Sequence, residues 1–127
     1  MKLKHFTLNF GTQIFKSFSD ESRTRILHLL YKTEELTISD IQTILDFTQT
    51  KTSRHMSFLR SAGMVGSKQI DQWVFYSIRD EALDMVVKIF GFLEKDTLLM
   101  SDLETYETLR TNRELAINKI QAKDYRI

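Results

Sequence analysis

The sequence predicts a mainly α-helical fold with one small β-hairpin, and three observations lead there. The chain of 127 residues contains no proline and only four glycines, so little interrupts helices. Apolar residues recur at spacings of three and four over most of its length. Only from Met64 to Ile78 does the period change to two.

The elements follow in order. Phe6, Phe10, Ile14 and Phe18 are spaced by fours, with Leu8, Gly11 and Phe15 on an adjoining face, which predicts a first helix over Phe6 to Phe18. Asp20 is a good N-cap for a second helix whose buried face is Ile26, Leu27, Leu29 and Leu30, with Glu21 at the positive end of the dipole. Lys32 to Glu35 reads as a polar connection. Thr37-Ile38-Ser39-Asp40 matches a capping box, with Asp in the place where Glu fits better, and opens a short third helix carrying Ile41, Ile44 and Leu45. Thr48 caps a fourth helix that runs to Ala62, where Gly63 supplies a left-handed stop. Two short helices with about three residues between them outline a helix-turn-helix.

In the hairpin, Trp73, Phe75 and Ser77 face one way and Val74, Tyr76 and Ile78 the other, with the turn at Asp71 and Gln72. Trp73 is expected in the core. Asp80 then caps a helix in which nine of the twelve residues from Ala82 to Leu93 are apolar, so that it must be buried on two sides, and a second copy of the chain is the simplest cover. After Asp96 a further helix carries Leu99, Leu103, Tyr106, Leu109, Ala116 and Ile120 on one face, without the strict heptads of a coiled coil. The expected organisation is a domain over residues 1–95 and a C-terminal helical extension over 96–127 that packs on the domain or on its dimer partner.

Composition excludes several function classes. No apolar run is long enough for a bilayer, the amino terminus does not read as a signal peptide, and a soluble cytoplasmic protein with no membrane association is expected. Without cysteine this chain offers no disulfide, thiolate metal site or thiol switch. His5, His28 and His55 show no paired ligand spacing, and His28 reads as a structural residue between apolar neighbours. No nucleophile-base pair or glycine-rich phosphate loop is visible, so neither an enzyme nor a cofactor is expected.

Charge points instead to a polyanion. The net charge of +1 divides into eleven Lys and Arg against seven Asp and Glu up to Arg79, and seven against ten beyond it. Between Asp46 and Asp71 there is no acidic residue, while Lys51, Arg54, His55, Arg60 and Lys68 all lie there. On the fourth helix Thr52, Met56, Leu59 and Ala62 form the packing stripe, widened by Phe58. The remaining face offers Gln49, Thr50, Ser53, Arg54, Ser57 and Arg60, with Lys51 and His55 at its margins. Arg pairs bidentately with guanine and Gln with adenine, Ser and Thr serve bases or phosphates, and small side chains allow a close approach to the major groove. The expected partner is double-stranded DNA, with Gln49, Thr50, Ser53 and Arg54 as base readers and Lys68 and Gln72 added from the hairpin.

Three runs carry a resemblance: Phe18-Ser19-Asp20-Glu21-Ser22-Arg23-Thr24-Arg25-Ile26-Leu27; Gln49 to Met56 with Leu59-Arg60-Ser61-Ala62-Gly63-Met64-Val65; and Trp73-Val74-Phe75-Tyr76. In combination the chain resembles the ArsR family of bacterial winged helix-turn-helix repressors over about residues 8–94. The resemblance implies a homodimer joined through the first and last family helices, here Phe6, Phe10, Ile14, Met85, Ile89 and Phe92. It further implies two recognition helices in successive major grooves of an imperfect inverted repeat, and a contact near DNA or a packing role for His55. The family's metal-sensing cysteine pair corresponds to Thr37 and Ser39, and its alternative Asp and His site on the last helix finds no histidine from Asp80 to Asp96, so metal sensing of either kind is not expected. Asp71 and Gln72 stand where the family often has Gly and Arg, which weakens the wing tip. A winged helix that has lost DNA binding and docks a protein is the alternative, and no pattern identifies a small-molecule effector.

Overall fold

Among the described residues, five of the six helices longer than a single turn begin where a side-chain oxygen accepts a hydrogen bond from a backbone N–H that the first turn leaves free. The computed structural model describes residues 6–119; His5 and Ile120, and the extension beyond Lys119, lie outside the described residues. Helix α1 (Leu8–Phe18) is capped by Thr7, two residues later than the apolar spacing suggests. Helix α2 (Glu21–Thr33) is capped by Asp20 and runs through the expected connection until Glu34 turns it at φ 76°. The two-residue strand β1 (Leu36–Thr37) leads into α3 (Ile38–Leu45), capped by Thr37, and Asp46 ends that helix at φ 57°. Helix α4 (Gln49–Ser61) is capped by Thr48 and followed by Gly63 at φ 81°.

Strands β2 (Val65–Ile70) and β3 (Trp73–Ile78) form the hairpin, and Asp71 supplies the left-handed turn residue at φ 55°. Sheet order is β1-β3-β2, all antiparallel, with Leu36 opposite Tyr76 and Ser67 opposite Tyr76 on the other side. The third strand is not foreseen from the sequence, because two residues have no period and exist as a strand only through pairing with β3. Val65 and Phe75 are the hairpin's buried apolar residues, each at 1% exposure. Trp73, expected in the core, is half-buried, with its indole N–H shielded and unbonded. Helix α5 (Asp80–Leu93) begins without a side-chain cap. Arg79 holds the N-cap position, so Asp80 is not the cap but the first helical residue, where its charge and that of Glu81 suit the dipole.

The core is centred on α2, whose Ile26, Leu27, Leu29 and Leu30 are all buried against Ile14, Ile41, Met56, Leu59, Val86 and Phe90. Each such side chain contributes about 1.5–3 kcal/mol of burial. Helix α6 (Thr97–Thr111), capped by Asp96, ends earlier than the stripe to Ala116 and Ile120 implies. It lies against α2 and α3 of its own chain. Leu99 is buried there, and the buried Asp102 accepts two hydrogen bonds from Arg25, 3.0 Å from Nε and 2.9 Å from Nη2. The chain then turns back, burying Leu115 and Ala116, and the Ala116 amide donates to Asp40 Oδ1 at 2.6 Å. Asp40 Oδ1, expected to work inside the α3 capping box, thus holds the returning tail. Burial raises its pKa against the lowering effect of the amides it accepts.

Candidate nucleic-acid interface

Helices α3 and α4 pack on each other across the turn at 46–48, and the packing stripe of α4 is as its spacing suggests: Thr52, Met56 and Leu59 are buried. Their burial decides which side chains face outward. Gln49, Thr50, Arg54, Ser57 and Arg60 are exposed, and Lys51, Ser53 and His55 are half-buried at the margins. The eight candidate residues of this helix therefore all lie outside its packing stripe. Arg54 and Arg60 form no ion pair with any carboxylate among the described residues.

Several of these side chains are already oriented. Gln49 Nε2 donates to Ser53 Oγ at 2.8 Å, one turn along the helix. Lys51 Nζ sits 4.0 Å from the centre of the Phe47 ring, with the Arg25 guanidinium 5.2 Å from the same ring. Such an aromatic seat orders the lysine without neutralising it. His55 has its pKa pushed down, first by burial and then by Arg23, Arg54 and Lys51, against the pull of Asp20. Near pH 7 its ring is therefore a neutral imidazole, able to donate one hydrogen bond but adding no charge. Burial alone would raise Asp20, but the Arg23 amide, the charge that His55 carries once protonated at acid pH, and the charge of Arg23 outweigh it and lower its pKa.

The two hairpin candidates lie on β2 and at its turn. Gln72 is exposed at the turn, and Gln69 Nε2 donates to the Asp71 carbonyl at 3.2 Å. Lys68 Nζ is 3.4 Å from Glu35, with 63% of its side chain exposed. An exposed pair of this kind contributes little to stability. Thr37 spends its hydroxyl on the α3 cap, and Ser39 is exposed.

Two arginines of α2 have roles that sequence reasoning missed. Arg23 donates to the carbonyls of Lys16 at 2.8 Å and Ser17 at 3.3 Å, and its guanidinium lies 4.0 Å from the Phe58 ring, so it closes the end of α1 and braces α4. Arg25 pairs with Asp102 at a sequence distance of 77 residues. The only available signal was that Arg25 stands beside the apolar run of α2, which does not name a partner. The apolar residues set aside for a second copy divide. Ile14 belongs to the chain's own core at 1% exposure and is withdrawn from that surface; Phe6, Phe10, Met85 and Ile89 are half-buried, and Phe92 is 90% exposed.

Residues 20–67 match the family model described as "Bacterial regulatory protein, arsR family". The chain is 40% identical over 68 residues to the arsenic resistance transcriptional regulator ArsR2 of Pseudomonas putida, a match covering 54% of this chain and 59% of that protein. It is 33% identical over 93 residues to the cadmium resistance transcriptional regulatory protein CadC of Listeria innocua, covering 73% of each. Its fold resembles the homodimeric winged helix-turn-helix DNA-binding domain Mb0332 of Mycobacterium bovis, with a TM-score of 0.61, 22% identity and coverage of 72% of this chain and 83% of that one. The helix-turn-helix of α3 and α4, the wing of β2 and β3, and these matches together place the chain in the arsR family of bacterial regulatory proteins.

Proposed function

We propose that the chain is a homodimeric transcriptional repressor that sets α4 of each protomer into successive major grooves of an imperfect inverted repeat. The outer face of α4 carries this reading: Arg54 and Arg60 project without carboxylate partners among the described residues, beside Gln49, Thr50, Ser53 and Ser57, in a stretch with no acidic residue from Phe47 to Ile70. Arg54 and Gln49 are the side chains suited to bidentate base contacts; Lys51, Arg60, Lys68 and the hydroxyls of Thr50 and Ser57 suit phosphates. His55 adds one neutral donor, and Gln72 reaches from the wing.

The exposed apolar faces of α1 and α5 support the dimer, with Leu8 87%, Phe15 66% and Phe92 90% exposed. Mb0332, which shares the fold, is described as homodimeric. In this reading residues 1–95 bind DNA and dimerise, the extension from residue 96 braces α2 and α3, and the protein works in the cytoplasm as a regulator rather than an enzyme. No helix among the described residues is long and apolar enough to cross a membrane. Thiolate capture of soft metals has no donors in this chain, so the releasing signal differs in chemistry from cysteine-bound arsenic or cadmium.

Fluorescence anisotropy with the DNA upstream of the protein's own operon tests the reading. Specific binding in the nanomolar range that weakens steeply with salt is expected. Arg54→Ala is expected to cost roughly 1–3 kcal/mol on that site and much less on scrambled DNA. Absent binding, or binding indifferent to salt, favours a winged helix that docks a protein.

A further inference from the structure

The wing carries little free positive charge of its own. Lys68 faces Glu35 at 3.4 Å, Asp71 places a carboxylate in the turn, and Gln72 is neutral. A cation reaches the wing from the far end of the chain instead: Lys119 Nζ lies 5.3 Å from the centre of the Trp73 ring. Trp73 is the first residue of β3, directly after the turn.

Lys119 is held near that ring by a folded support. Leu115 and Ala116 are 1% and 5% exposed, and the Ala116 amide donates to Asp40 Oδ1. Asn118 ties the turn together: its Oδ1 accepts from the Leu115 amide at 3.2 Å, and its Nδ2 donates to the Arg110 carbonyl at 3.2 Å. Lys119 follows this anchor directly and is itself exposed. An aromatic face orders an ammonium group but leaves its charge available, whereas the carboxylate opposite Lys68 offsets that lysine's charge.

We propose that Lys119 is a phosphate ligand of the wing, so that the C-terminal tail, folded back over α3, completes the DNA interface beside the hairpin turn. The proposal rests on the DNA-binding reading above. A lysine in this place adds affinity without sequence preference, because a phosphate is the same at every step.

Salt titration of the full chain on a labelled duplex from its own upstream region, and on a scrambled duplex, tests it from about 50 to 200 mM salt. Lys119→Gln is expected to make the slope of log K against log salt shallower by about 0.9 per bound protomer and to weaken both duplexes in the same proportion. Lys119→Arg is expected to keep the wild-type slope. Arg54→Ala provides the contrast, losing affinity mainly on the specific duplex. Lys119 is exposed, so circular dichroism and melting of Lys119→Gln should match wild type. A wild-type slope in Lys119→Gln, with the wild-type protein binding normally, overturns the proposal and leaves the DNA-binding reading standing. No binding by the wild-type protein itself overturns both.

Discussion

Gly63 ends α4 at φ 81°, and a Cβ built there would lie 3.3 Å from Phe10 Cε1. An L side chain is strained in that backbone region whatever the space, and here it also presses on α1. Gly63→Ala is expected to lower stability by about 1–2 kcal/mol, read from urea unfolding. His28 makes a second prediction at this scale. Burial pushes its pKa down, Lys32 adds to the effect, and Asp102 and Asp96 oppose it. The ring packs edge-on against Phe90 at 4.9 Å. On unfolding, the imidazole returns to water and takes up a proton below about pH 6.5, so the stability of the neutral folded form is full above that pH and is lost as pH falls toward the depressed folded value. Asp40, with its raised pKa, acts in the opposite sense, gaining stability as pH falls through that value. Comparison with His28→Gln cancels Asp40 and His55. The variant should lose less melting temperature than wild type between about pH 7 and pH 5, with the difference limited to about 1.4 kcal/mol per pH unit. Parallel melting curves would count against a buried neutral His28.

At the scale of elements, a helix with apolar residues on nearly every side must leave part of its apolar surface outside its own core. On α5, Ala82, Val86 and Phe90 are buried, while Leu83 38%, Val87 42% and Phe92 90% remain exposed. If a second copy covers that face, Phe92→Glu buries an unpaired charge in the contact. Sedimentation velocity is expected to show a shift from dimer toward monomer with unchanged helix content by circular dichroism, and an unaltered dimer would remove Phe92 from the interface. Helix starts were readable because Asp20, Thr37, Thr48 and Asp96 each bond within three residues, so local sequence suffices. Asp80 misled for the same reason: its capping chemistry is right, but Arg79 already has the extended backbone of the cap position. Strand β1 was unreadable because its hydrogen-bonding partner lies almost forty residues on, in β3.

Across the whole molecule, the joint between Arg25 and Asp102 fastens α6 to α2, with 18% and 6% of the two side chains exposed. Removing one partner strands the other charge in a poorly hydrated place. Asp102→Ala is expected to cost about 2–4 kcal/mol in chemical denaturation. An Arg25→Met, Asp102→Leu double variant should lose less than Asp102→Ala alone, because a well-packed apolar pair does not need the ionic bond. If the double variant loses more, packing rather than charge sets the value of the joint.

The outer side of α4 was local and legible: the helical period alone leaves Gln49, Thr50, Arg54, Ser57 and Arg60 outside the buried stripe of Thr52, Met56 and Leu59. The mainly helical fold class, the helix-turn-helix, the left-handed stop at Gly63 and the arsR-family membership were likewise determined by the sequence, since caps, periods and motifs act over a few residues. Only the tertiary structure decided that Ile14 is core rather than interface, that Glu35 faces Lys68, and that the tail folds back so that Asp40 holds Ala116 and Lys119 lies by Trp73. Each of these depends on which distant surfaces meet, and a hydrophobic or charged residue shows the need for a partner without naming it.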